Sequence, residues 1–106
     1  MYKLSFYVPE SHLEPVKNAL FAKGAGHYKG YDHCCWQVLG EGQFRPLADS
    51  RPYIGKAGCL EKVDEYKVEM ICTDAVIKAV VQTLLAVHPY EQPAYAVYKV
   101  LTVGDL

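Results

Sequence analysis

Apolar and polar residues alternate from Tyr2 to Val8, with Tyr2, Leu4, Phe6 and Val8 on one face. This predicts a strand closed by Pro9. Ser11-His12-Leu13-Glu14 has the Ser-x-x-Glu form of a capping box, and Pro15 is placed in the first helical turn. Leu13, Val16, Leu20 and Phe21 follow at helical spacing, and Lys23-Gly24 supplies a stop. Residues 34–39 read as a strand, Gly40-Glu41-Gly42 as a bulge or tight turn, 43–46 as a short extended piece and 49–58 as a loop. Residues 60–72 form a long strand with Tyr66, Val68, Met70 and Cys72 on one face. Thr73 or Asp74 caps a second helix, whose apolar face is Val76, Ile77, Val80, Leu84, Leu85 and Val87. A final alternating run covers 94–103.

Two β-α-β halves in series predict an α+β, ferredoxin-like βαββαβ antiparallel sheet. Both helices lie on one face, and an extra hairpin or loop sits in the middle. The opposite face is left for solvent or a partner, and carries Tyr and charged residues. At 106 residues the expectation is one domain, 1–106.

Composition narrows the function. Eleven basic and twelve acidic side chains nearly cancel, so no electrostatic footprint points to nucleic acid or to an anionic membrane. No apolar run reaches the roughly 20 residues of a membrane span. The first seven residues lack a signal-peptide layout, so the expected location is the cytoplasm. Four cysteines without C-x-x-C spacing do not predict structural zinc, and are expected to serve mostly as small apolar side chains. Nine tyrosines suit half-buried surfaces and subunit interfaces.

The stretch His88-Pro89-Tyr90-Glu91-Gln92-Pro93 holds an imidazole, a phenol and a carboxylate on a short stiff turn. It is either a rigid helix-to-strand connector or one wall of a site. In the connector reading Glu91 and Glu61 accept backbone N–H bonds and His88 caps its helix. His33, Cys34 and Cys35 are soft ligand types in a row, and His33 with Cys35 is the candidate metal pair. Adjacent strand residues point to opposite faces, however, so filling space in the core is the competing role for the thiols. Gly40-Glu41-Gly42 lacks the Lys-Ser/Thr of a phosphate loop. No catalytic set is assignable from spacing.

Several strings in order, Gly24-x-Gly26-x-Tyr28, Tyr31 to Trp36, Gly40-Glu41-Gly42-Gln43-Phe44-Arg45-Pro46, Pro52-Tyr53-Ile54-Gly55, Gly58-Cys59-Leu60-Glu61-x-Val63-x-Glu65 and the His88–Tyr95 stretch, resemble the small inserted domain of the Nif-three-like (YqfO-type) family. The resemblance covers nearly the whole chain. It implies a ferredoxin-like domain similar to the CutA and PII signalling proteins, typically trimers with ligand clefts between subunits. Full-length members carry a two-metal centre on flanking halves. These 106 residues contain no such halves and no His-x-His pair, so the family's hydrolase and cyclohydrolase labels are not expected to transfer.

The expectation is therefore a non-enzymatic, cytoplasmic, homotrimeric binding or regulatory module with no resident cofactor. His88, Tyr90, Glu91, Glu61 and Tyr53 would line a cleft formed where the turn faces a neighbour's long strand or loop. The cleft would hold a small molecule or ion, and the 40–58 region would be the loop for a protein partner. The alternatives are a CutA-like metal-binding protein using His33, Cys35 or His88, and a small hydrolase with Glu91 and His88 as acid and base.

Overall fold

The computed structural model of residues 1–106 runs β1 (Tyr2–Val8), α1 (Glu10–Ala22), β2 (Trp36–Phe44), β3 (Glu61–Cys72), α2 (Ile77–Val87), β4 (Tyr95–Lys99) and a 3₁₀ turn over Val103–Asp105. The sheet order is β2-β3-β1-β4, antiparallel throughout. This is the expected ferredoxin-like arrangement. The core is built from the alternate residues Leu4, Phe6 and Val8 of β1 and Val68, Met70 and Cys72 of β3. Leu13, Val16 and Leu20 of α1 and Val80 and Leu84 of α2 close over them. No helix is long and apolar enough to cross a membrane.

The helix ends differ from expectation at two of four places, both N-termini. No capping box forms at Ser11, because Pro9 at the N-cap, with φ −67° and ψ 153°, already sets the entry and lets the helix begin at Glu10. The Ser11 hydroxyl bonds the His12 ring instead, at 2.8 Å. Pro15 consequently falls in the second turn. Neither Thr73 nor Asp74 caps α2 with its side chain, and Asp74 pairs with the Met1 ammonium at 2.6 Å. The stop at Lys23-Gly24 is as expected. Gly24, at φ +98°, donates to Phe21 O at 3.0 Å, and Ala25 donates to Leu20 O at 3.1 Å. That is a Schellman closure, with Ala25 and Leu20 both buried. The second helix ends at His88, which Pro89 forces into an extended conformation (φ −69°, ψ 138°).

Other boundaries also moved. The second strand starts at Trp36 because the Cys34 amide is spent on Gly26 O at 2.9 Å. It then runs through Gly40-Glu41-Gly42 with no bulge, its register unbroken from Trp36↔Glu69 to Phe44↔Glu61. The fourth strand stops at Lys99 because its partner β1 runs out: Tyr2 pairs with Lys99, and the last bond is Val100 N–H to Met1 O. Leu85 is exposed because it lies off the Ile77-Val80-Leu84 stripe; Val87 is in phase with the stripe but is exposed at the helix's last residue. Of the cysteines only Cys72 fills the core, where burial pushes its thiol up to about 11 against a backbone bond from Gly26. Cys34, Cys35 and Cys59 are exposed on connecting segments, which overturns the filler role for those three.

Two consequences of register position the site. Residues paired across the ladders share a face, so the side away from the helices carries Tyr7, Tyr98, Trp36 and Val38 around a Lys3–Glu69–Lys67 ion network (2.9 and 3.3 Å). In addition, β1 ends opposite Tyr66, so residues 61–65 pair with β2 alone and the hairpin projects as an arm.

Candidate functional site

At the base of that arm the His88–Pro93 turn meets the 45–58 loop. The joint is a hydrogen bond from the Arg51 backbone N–H to Glu91 Oε2 at 2.9 Å. The loop is internally held by Gly58 N–H to Pro46 O (2.8 Å) and Ser50 Oγ to Leu47 O (2.7 Å). Between turn, loop and sheet lies a groove of about 390 Å³. This is within the range of small-molecule pockets. Expectation put the turn against a neighbour's loop; here both come from one chain.

His88 sits beneath the groove and is buried. The Tyr90 N–H donates to its Nδ1 at 3.0 Å, so Nδ1 carries the lone pair and Nε2 the proton. Nε2 then donates to Tyr7 O at 2.6 Å. Both nitrogens are used in pinning the turn to β1, which leaves neither for a ligand, a metal or base catalysis. Burial, opposed by the Tyr7 bond and aided by the nearby His12 imidazole, holds the His88 pKa below its ordinary value.

A depressed imidazole contributes stability that is full above the ordinary value near 6.5 and is lost as pH falls through the folded value. Urea titrations from about pH 7.5 to about pH 5 are expected to show a loss of stability on acidification that His88→Gln lacks. The difference between the two proteins is the readout. The Glu65 carboxyl, raised by burial, acts in the opposite direction on acidification and is common to both. Equal slopes in the two proteins would contradict the assignment.

Tyr90 presents its ring to the groove, between Phe44 (centroids 6.3 Å apart) and Tyr53 (6.1 Å). Tyr53 in turn rests edge-on against His12 at 5.8 Å. Tyr90 OH approaches Glu65 Oε2 at 3.4 Å. Burial raises Glu65 and the Tyr90 bond partly offsets this; burial with the Glu65 charge pushes the Tyr90 phenol up to about 12. Glu65 lies over Gly42, where any Cβ would collide with its carboxylate. The glycine in mid-strand is thus the seat of a half-buried acid.

The structure brings Tyr53, Tyr90 and Glu91 to one groove, with His88 as its support. Glu61 lies outside it, packed behind Gly55. As the connector reading expected, Glu91 accepts a backbone N–H; Glu61 accepts none. Glu65, Phe44 and Tyr7 also belong to the groove, although the expected cleft does not include them. The signal for Glu65 was Gly42, small where the opposing strand carries an acid. His33 and Cys35 lie before the far end of β2. His33, at φ +55°, packs on Phe21 at 4.7 Å and pairs with Asp32 at 3.2 Å. No group of three or more His, Cys, Asp or Glu side chains gathers anywhere in the chain in a way that could hold a metal ion.

No family model matches the chain. Curated proteins do: it is 41% identical over 105 residues to the GTP cyclohydrolase 1 type 2 homolog of Halalkalibacterium halodurans, covering 99% of this chain and 28% of that protein. The chain thus spans little more than a quarter of that relative's length. Among solved structures, the Bacillus cereus protein related to NIF3 superposes with a TM-score of 0.77 at 36% identity, over 92% of this chain and 24% of that one. CutA1 from Pyrococcus horikoshii superposes with a TM-score of 0.70 at 15% identity, over 97% and 86% respectively, which speaks to the fold alone. Over nearly its whole length, then, the chain is similar to one segment of the GTP cyclohydrolase 1 type 2 homolog and of the NIF3-related protein, and its fold is that of CutA.

Proposed function

We propose that this chain is a non-enzymatic binding and regulatory module that takes a small molecule in the groove and assembles as a homotrimer in the cytoplasm. The observation that carries the reading is the groove itself: a loop and a turn, tied by one hydrogen bond, enclose with the sheet end a space lined by four aromatic residues and a half-buried carboxyl. The His88 imidazole is consumed structurally, so the pair needed for acid–base hydrolysis through Glu91 and His88 is not set up. The open sheet face supports assembly. Trp36 and Tyr98 are more than half exposed there beside Val38, and a Tyr- and Trp-rich face of this kind suits a subunit interface. The likeness to CutA favours three copies.

Native mass spectrometry of untagged protein tests both halves. The expected species is three times the 11.9 kDa chain mass, with a ligand increment or a thermal shift on adding metabolite pools. A monomer at every concentration would overturn the assembly, and a bare protein indifferent to every addition would overturn the binding role.

A further inference from the structure

We propose that the groove selects a small organic cation carrying a flat apolar group, an aryl-alkylammonium being the simplest member of the class. The inference rests on the groove being a ligand site. Its walls are the rings of Tyr7, Phe44, Tyr53 and Tyr90. The rings adjoining Tyr90 are tilted 41° and 49° to it rather than stacked, so they surround a volume instead of filling it. Aromatic faces attract cations within about 6 Å through their quadrupole, and Tyr with Phe supplies this without any ligating atom.

The charges agree with the walls. Glu65, Glu91 and Asp49 line the groove against one cation, Arg45. Arg45 and Asp49 are exposed at the rim, where solvent screens them. Glu65 is half buried on the floor, and its only hydrogen bond is the long one from Tyr90. A carboxylate so placed lacks a counter-charge in the chain, and an ammonium between the rings would supply it. Glu91 gives one oxygen to Arg51 and has no further hydrogen bond in the chain. A metal ion would need several converging oxygens, where the groove offers rings; an anion would have to face Glu65.

The test is a charge series on one shape: benzylammonium, benzyl alcohol and benzoate, titrated into the wild-type protein and followed by calorimetry and by ¹⁵N shifts of groove amides. Benzylammonium is expected to bind about tenfold tighter than benzyl alcohol, with benzoate weakest. Glu65→Gln should reduce that preference to about twofold or less, chiefly by weakening benzylammonium. Tyr90→Phe, which keeps the carboxyl, should retain the preference. If benzyl alcohol binds as well as the amine, or benzoate better, the groove is a ligand site but not a cation site, and this inference alone falls. If no probe moves the groove amides, the inference falls, while the binding role stands or falls with the metabolite-pool experiment. The wild-type series decides the matter even if a variant folds poorly.

Discussion

Replacing Phe6 by alanine is expected to cost about 3–5 kcal/mol, the range for emptying a large aromatic site. Phe6 is fully buried on the central strand, opposite Val68 on one side and Tyr95 on the other. Helix residues close over it, and the neighbouring core residues Leu4, Val8 and Met70 are themselves fixed in strands. Strand side chains cannot slide into the vacancy without breaking register, so little collapse is available and the loss should fall in the upper part of that range. A domain of this size has only about 5–15 kcal/mol in total, so the variant should unfold at a much lower urea concentration. Phe6→Leu should cost far less. A loss below about 1.5 kcal/mol for the alanine variant would mean that the helices repack freely over the sheet.

His88→Ala is expected to cost about 2–4 kcal/mol and to dismantle the groove. The ring satisfies the Tyr7 carbonyl and the Tyr90 amide at once, and removing it leaves two half-buried backbone groups without partners along with an empty volume. The turn would then be held only by the Arg51–Glu91 bond and the long Tyr90–Glu65 contact. Tyr90, released from its position, would no longer stand between Phe44 and Tyr53. Loss of stability should therefore accompany loss of ligand-induced shifts at Glu65 and Tyr53. A variant as stable as wild type, with unchanged groove amides, would show that the prolines alone fix the turn.

The outline of the fold was legible because its determinants are local. Tyr2-Leu4-Phe6-Val8 announces a half-buried strand, Leu13-Val16-Leu20 a helix stripe, and Gly24 a Schellman stop. What escaped depends on partners distant in sequence. The end of β4 is set by the first residue of β1, and Asp74 is drawn from its capping role by the chain's own ammonium. Gly40-Glu41-Gly42 has turn composition, yet long pairing with β3 overrides it. The site divided along the same line. The stiffness of His88–Pro93 follows from its prolines, and the candidates Tyr90 and Glu91 stand in the groove. That His88 would spend both nitrogens on Tyr7 and Tyr90, and that Glu65 rather than Glu61 would face inward, required the register of β2 against β3.

The projecting hairpin gives the groove a mechanical character. Residues 66–69 of β3 are paired on both edges, by β2 and by β1, whereas 61–65 are held on one edge only. The outer arm is therefore the segment with the lowest cost of transient opening, and its amides will exchange with solvent ahead of those in the four-stranded region. One wall of the groove, Phe44, rides on this arm, while Tyr7 and Tyr90 are anchored to the body of the sheet. Anything gripped between Phe44 and Tyr90 cross-links a yielding lever to a rigid frame, so occupancy would be reported as stiffness at the arm's tip.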